Sequence, residues 1–173
     1  MEFGLWGRSR VKRVGIVATR LAGTDGVSLE SDKWVQVMEE RRLTCYYFAG
    51  ELDRPPERSY FAEEAHFNHP EIQEIQQASF GVTTRSRSLT GKIQEIKRKL
   101  KDDLYSFINQ YKIDLLMPEN SLTIPMNIPL GLAITEVIAE TGMPAIAHHH
   151  DFYWERDRFS INAVSDYLNM AFP

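Results

Sequence analysis

The chain has 173 residues, of which 43% are apolar and 25% charged, and its formal net charge is -4. These values predict one compact domain with a sizeable core, and the acidic balance excludes a surface built mainly to bind nucleic acid. Cys45 is the single cysteine, which rules out an internal disulfide and a cysteine-based zinc site and favours a cytoplasmic location. No apolar run approaches the ~18 residues that cross a bilayer. We therefore expect a soluble protein that does not associate with membranes.

Strand and helix patterns alternate along the first half of the chain. The β-branched run VKRVGIVAT predicts a strand buried on both faces, and a glycine loop follows it. Apolar residues at helical spacing then predict a helix that includes Trp34 and Met38. The predicted elements of this half are a strand over 11–19, that helix, a strand over 43–50, a strand over 60–67 and a helix over 70–78.

The second half continues the alternation with sharper patterns. Apolar residues recur every three or four positions from Thr90 to Tyr111, which predicts one long amphipathic helix. The further predictions are a strand over 113–117, a loop over 118–127, a helix over 130–141, a strand over 145–147 and a helix over 160–170. Regular alternation favours an α/β fold with a Rossmann-like parallel sheet and helices on both faces.

Three polar loops follow predicted strands, over 23–28, 118–127 and 148–159. In a parallel sheet such loops meet at the carboxyl edge and line a crevice. The first loop offers backbone amides at a helix start, where a phosphate or diphosphate binds favourably. It matches no dinucleotide or P-loop pattern, so ordinary turn glycines are an equal alternative.

The third loop opens with three histidines and continues with aromatic and charged residues, HHHDFYWERDRF. Three consecutive side chains cannot all point into one site, so at least one imidazole is expected to be structural or exposed. Ligands for zinc are present in His148, His150 and Asp151, but adjacent residues rarely complete a tetrahedral shell, and we expect no metal. Trp154 is expected to pack rather than to stack on a sugar.

The loop sequences resemble the amino-terminal domain of family 4 (group 1) glycosyltransferases with the GT-B fold. The resemblance rests on residues 23–27, on LMPEN at 116–120 and above all on AHHHDFYWER at 147–156, and it extends over nearly the whole chain. It implies a retaining transfer of a sugar from a nucleoside diphosphate sugar to an acceptor hydroxyl, without a metal or other cofactor. Residues 1–173 would then form the acceptor-side domain, one half of the fold.

The resemblance also implies roles for individual residues. His148, nearest the strand end, is expected to be the catalytic group that faces the transferred sugar. Gly23, Gly26 and Val27 would approach the donor diphosphate. The expected substrate-binding residues are His149, His150, Asp151, Glu155, Arg156, Glu119 and Asn120, with Arg158 as a second candidate for an anionic group on the acceptor.

The donor-binding domain that such a transferase needs is expected either on the full-length chain or on a separate polypeptide. The chain alone is therefore expected to be inactive, and its exposed cleft surface could support a homodimer. A non-catalytic module that binds sugar, phosphate or a partner remains an alternative, and a dinucleotide enzyme ranks below it. His66 and His69 are expected on the surface, and the basic residues between Arg85 and Lys101 on a solvated helix face rather than a lipid-binding one.

Overall fold

The structure, a computed structural model, describes residues 11–173. Its strands are β1 (Arg13–Val17), β2 (Thr44–Ala49), β3 (Ser59–Phe61) and β4 (Leu115–Pro118), and its helices are α1 (Gly26–Glu40), α2 (Pro70–Ser79), α3 (Arg87–Tyr111), α4 (Ile128–Thr141) and α5 (Ser165–Ala171). All four strands are parallel and lie in the order β3-β2-β1-β4. The predicted α/β fold with a Rossmann-like sheet is confirmed. The first ten residues of the predicted domain lie outside the described part.

Both faces of the sheet are covered, as predicted. Val14 and Ile16 on β1 contribute to a buried cluster against which Val35 and Met38 of α1 pack. Val17 belongs to the cluster on the opposite face, because successive side chains of a strand alternate. At Gly15 a Cβ atom would lie 2.7 Å from the Phe107 ring, so α3 can approach the centre of the sheet only because this residue has no side chain.

Helix α3 crosses that opposite face and buries the predicted apolar stripe. Its buried residues are Leu89, Ile93, Ile96, Leu100, Leu104, Phe107 and Ile108. Burying one such side chain stabilises the fold by about 1.5–3 kcal/mol, so this helix is a major source of stability. The helix begins at Arg87, earlier than predicted, because the Ser86 hydroxyl accepts a hydrogen bond from the Leu89 amide at 3.0 Å.

Residues 144–148 pair with the outer edge of β4 and continue the sheet. The Ile146 amide donates to the Leu116 carbonyl at 3.0 Å, and the His148 amide donates to the Pro118 carbonyl at 2.9 Å. The predicted strand therefore exists as two isolated parallel bridges rather than a regular element. It is not buried, since Ile146 is 60% exposed.

Two other predicted elements differ in extent. The strand predicted over 60–67 ends at Phe61, and a short 3-10 helix over Glu63–Ala65 replaces its second half. The last helix begins at Ser165 rather than at residue 160, because residues 157–159 form a 3-10 turn and the Asn162 side chain accepts from the Val164 amide at 3.1 Å. Local turn chemistry decided both boundaries.

The expected surface positions of His66 and His69 were wrong. Their side chains are only 17% and 13% exposed, and His66 lies 3.1 Å from a Glu51 carboxylate oxygen and stacks on Phe67. The tight turn at Gly50 brings the His66 backbone so close that a Cβ on the glycine would overlap it. Among residues 11–173, no helix is both long and apolar enough to cross a membrane.

The basic residues of α3 lie on its outer side, and several of them are ion-paired. Lysines along the helix form ion pairs with acids on neighbouring elements, which the sequence spacing could not reveal. The pairs are Lys92 with Glu74, Lys97 with Glu136, Lys99 with Glu64, and Lys101 with Glu136 and Glu140. These cations therefore connect α3 to α2, to the 3-10 helix at 63–65 and to α4.

Candidate active site

The three predicted loops meet at the carboxyl edge of the sheet. A cavity of about 210 Å³ lies there between the end of β1 and the end of β4. We call it the crevice cavity. Its lining residues are Thr19, Arg20, Asp25, Val27, Phe67, Glu119, Asn120 and Met126. The third loop approaches the same place, because His148 and His150 both contact Glu119.

Glu119 is a buried carboxylate held by two imidazoles. Its side chain is fully buried, and His148 Nδ1 lies 3.0 and 2.9 Å from its two oxygens. His150 Nε2 lies 2.7 Å from Oε1. Because an ionised carboxylate can only accept, an ionised Glu119 requires the proton of His148 to be on Nδ1 and that of His150 on Nε2. Two N–H donors thus compensate a charge that would be costly to bury alone.

The orientation of His148 is fixed on several sides. Its backbone pairs with β4, Glu119 holds Nδ1, and the Trp34 ring of α1 meets its edge with a centroid distance of 5.5 Å. The side chain remains 26% exposed. With Nδ1 engaged, Nε2 is the ring nitrogen left to contact a ligand.

His149 points away from Glu119, as the alternation along an extended segment requires. Its Nδ1 is hydrogen-bonded to the Thr123 hydroxyl, and its ring packs 5.6 Å from that of Phe152. Burial, together with the neighbouring His148, lowers the pKa of His149 below its ordinary value. The expectation that the three imidazoles would not share one direction is confirmed.

The cluster formed by Glu119, His148 and His150 also offers a possible metal-ligand set. One ligand atom from each residue lies within 4.8 Å of the others. Two imidazoles and a carboxylate are a combination that divalent transition metals accept. Asp151, which the sequence suggested as a ligand, is instead bonded to Arg156.

The loop after β1 is organised by carboxylates. Asp25 caps α1 by accepting from the amides of Val27 and Ser28, each at 3.0 Å, and the Gly23 amide donates to Asp53 at 2.7 Å. Burial alone would raise the pKa of Asp25, but hydrogen bonds from Ser28 and the charge of Arg20 lower it. The amides of Gly23 and Val27 are thus already engaged, whereas the Cα of Gly26 faces open space.

The remaining predicted residues lie on an exposed part of the third loop. Arg156 Nε donates to Asp151 at 2.8 Å, and Glu155 accepts from the Phe152 amide at 2.7 Å. Trp154 is 64% exposed and stacks on Phe152 at 5.1 Å. The expectation that Trp154 packs into the protein was therefore wrong.

Sequence reasoning missed several residues of the crevice cavity. Arg20 follows β1 directly and could have been identified from that position, since charged residues at strand ends face the crevice. It donates to Glu51 at 2.9 Å and to Asp25 at 3.1 Å. Met126 lies in the predicted crevice loop over 118–127 but was not singled out within it. Phe67 carries no such signal, because tertiary folding alone brings it there.

Comparison with curated proteins identifies two similar sequences. The mannosylglucosylglycerate synthase of Petrotoga mobilis is 30% identical over 157 residues, which are 90% of this chain and 35% of the relative. The enzyme of the same name from Thermotoga maritima is 26% identical over 146 residues, or 83% of this chain and 33% of the relative. The chain is similar to glycosyltransferases.

The chain spans about a third of the length of these relatives. No protein-family model matches the chain, and no solved structure matches it. The two similar synthases support sugar transfer as the reaction class.

Proposed function

We propose that the chain forms the acceptor-side part of a retaining glycosyltransferase of the family 4, GT-B type. Such a protein moves a sugar from a nucleoside diphosphate sugar to an acceptor hydroxyl. The similarity to two mannosylglucosylglycerate synthases carries the proposal. The donor-binding domain would lie in another part of the protein or on a separate polypeptide, and the chain alone would be inactive.

His148 is the proposed catalytic residue. In sugar transfer, positive oxocarbenium character develops on the sugar while negative charge develops on the leaving phosphate. Glu119 accepts from Nδ1 of His148, and this orients Nε2 towards a ligand. An imidazole held in one orientation can strengthen its hydrogen bond as the transition state forms, at little reorganisation cost. Glu119, which the sequence offered as a substrate contact, has a fully buried side chain held by His148 and His150. We therefore propose it as a positioning residue instead.

Gly26 is the proposed point of closest approach for the donor diphosphate. Its Cα faces open space at the start of α1, where the helix dipole attracts an anion. Arg20 lines the same crevice cavity, where its guanidinium already donates to Glu51 and Asp25. Gly23 and Val27 shape this loop. The Gly23 amide already donates to Asp53, and the Val27 amide already donates to Asp25.

We further propose that transfer needs no metal. The buried charge of Glu119 is already compensated by donors from His148 and His150, so a cation is not required to stabilise it. Asn120 and His150 adjoin this centre. The further proposed contacts for substrate hydroxyls lie elsewhere on the third loop, and they are His149, Asp151, Glu155 and Arg156. Activity should therefore persist in a chelating buffer.

The test combines the chain with the part of the Petrotoga mobilis relative that lies outside the matched third, fused or as a separate polypeptide. Transfer is measured with a panel of nucleoside diphosphate sugars. His148→Ala should lower kcat by roughly ten- to a thousandfold, which corresponds to about 1.4–4 kcal/mol at the barrier. Glu119→Gln should lower kcat about tenfold, because an amide can present a donor to Nδ1.

Lys33→Ala is the control, since this side chain on α1 is 73% exposed and pairs only with Glu30 among its described neighbours. Its kcat should stay unchanged. Equal kcat for His148→Ala and the unmodified enzyme would refute the catalytic role. Binding of a sugar or a nucleotide without any transfer would favour a non-catalytic module.

A further inference from the structure

A second depression lies beside the crevice cavity. It has a volume of about 290 Å³ and shares Phe67 and Met126 with the crevice cavity, so the two form neighbouring parts of one surface. Its other lining residues are Asn68, Gln73, Gln76, Gln77 and Arg158. We call this depression the amide groove. No carboxylate lines it, and Arg158 is the one lining residue with a formal charge.

Arg158 makes no ion pair with any carboxylate in residues 11–173. A guanidinium nitrogen donates to the Met126 sulfur at 3.0 Å, and the guanidinium carbon lies 4.4 Å from the Phe159 ring centroid. Burial, reinforced by the charge of Arg156 and opposed by that of Asp151, lowers the pKa of Arg158, although the group stays charged at neutral pH. An arginine in this setting can offer its remaining N–H groups to an anion.

Arg156 provides the contrast on the same loop. Its guanidinium donates to the Asp151 carboxylate through Nε at 2.8 Å and through a second nitrogen. Its charge is therefore already compensated within the protein. The sequence offered both arginines as candidates for holding an anion, and the structure separates them by their partners.

Apart from Arg158, the polar side chains that line the groove are carboxamides. Gln73 donates to the Asn68 side chain at 3.1 Å, and Gln76 donates to the Pro125 carbonyl. Gln77 is exposed. Each carboxamide carries both a donor and an acceptor, which suits the hydroxyls of a sugar. The groove thus combines hydroxyl-binding groups with one cation that makes no ion pair within residues 11–173.

We propose that the amide groove binds an acceptor sugar that bears a carboxylate or a phosphate, and that Arg158 binds this anionic group. The carboxamides bind the acceptor hydroxyls, and the shared wall of Phe67 and Met126 leads the acceptor towards the crevice cavity. This inference rests on the proposed function for the role of the ligand as acceptor. Its chemistry rests on the groove alone.

The test measures binding to the chain without any donor. Glucuronate, glucose 6-phosphate and glucose are titrated separately, and backbone and glutamine side-chain amide signals are followed by nuclear magnetic resonance. We expect the anionic sugars to shift the signals of Gln73, Gln76 and Gln77 and to bind at least tenfold more tightly than glucose. Comparing the two anions identifies carboxylate or phosphate as the preferred group.

Arg158→Gln should weaken binding of the preferred anion by about ten- to a hundredfold, as expected for a charge-assisted hydrogen bond. The control, Arg98→Gln, changes an exposed arginine of α3 that lies outside the groove, and it should change binding by less than about twofold. A thermal melt of each variant confirms that the fold is retained. The inference is overturned if no anionic sugar binds, if glucose binds equally well, or if Arg158→Gln binds like the unmodified chain.

This measurement involves no sugar transfer, so it can fail while the proposed function stands. If the assembled enzyme transfers sugar to neutral acceptors and Arg158→Gln leaves KM unchanged, the groove inference fails and the proposed function stands. Conversely, anion binding that depends on Arg158 in a protein without transferase activity would leave the groove intact and remove the proposed function.

Discussion

At the scale of single residues, the three consecutive histidines show how neighbours in sequence acquire different chemistry. His148 and His150 share the Glu119 carboxylate, whereas His149 bonds to Thr123 on the other side of the segment. The backbone pairing with β4 sets this division, because an extended chain presents alternate residues to opposite sides. Only two of the three imidazoles can therefore belong to one centre.

His149 should make stability depend on pH. Because its pKa is lowered in the folded protein, the unfolded chain binds a proton at this residue more readily. Its contribution to stability is complete above the unfolded pKa of about 6.5 and is lost as the pH falls below that value. Urea unfolding should give a lower free energy of unfolding at pH 5.5 than at pH 7.5, with the loss reduced in His149→Gln. Equal losses in the two proteins would contradict this assignment.

The sequence predicted the location of the cluster formed by Glu119, His148 and His150 better than the contacts within it. Glu119, Asn120 and the histidines were identified because each follows a predicted strand, and strand ends meet at one edge of a parallel sheet. The partnership of Glu119 with two imidazoles depends on a register that no single-sequence pattern encodes. The positions of Phe67 and Met126 depend on how α2 and the loop after β4 pack.

At the scale of elements, α3 is both the apolar spine of one face and the centre of a charge network. Its apolar stripe was predictable, since a 3.6-residue period is visible in one sequence. Its ion pairs were not, because each partner lies at least 18 positions away.

The pair between Lys97 and Glu136 should make a small but measurable contribution. Its side chains are 15% and 28% exposed, so it is better shielded from solvent than most surface pairs. A double-mutant cycle with Lys97→Ala and Glu136→Ala should give a coupling of about 0.5–1 kcal/mol in the free energy of unfolding, decreasing at high salt. Because Lys101 also pairs with Glu136, a second cycle with Lys101→Ala and Glu136→Ala measures how much of the coupling free energy of Glu136 comes from Lys101. A coupling of zero at low salt would show that the pairs are merely adjacent.

At the scale of the whole molecule, the two faces of the sheet are covered unequally. Four helices lie on one side and α1 on the other. Beside α1, a groove of about 540 Å³ runs between this helix and residues 146–148. Trp34, Val37 and Ile146 along it are 40%, 49% and 60% exposed. The sequence predicted helices on both faces, but the relative cover depends on which elements cross which side.

This apolar surface should promote self-association of the chain at high protein concentration. We expect dimers or larger species in sedimentation velocity experiments at roughly millimolar protein. Val37→Lys should shift the distribution towards monomer. Val82→Lys is the matched control, because Val82 is 41% exposed and lies outside this groove. A chain that stays monomeric throughout would contradict the prediction.

The run of three histidines, at 148–150, also bears on how residues 144–148 align with β4 during folding. If residues 144–148 slipped by one position along β4, His149 would replace His148 beside Glu119, and the chemistry at that point would look almost unchanged. The exchange is nonetheless unequal, since the native alignment gives the carboxylate two imidazoles and the slipped one gives it a single partner. Glu119 therefore favours the native alignment of residues 144–148 with β4, because only in that alignment do both His148 and His150 reach its carboxylate.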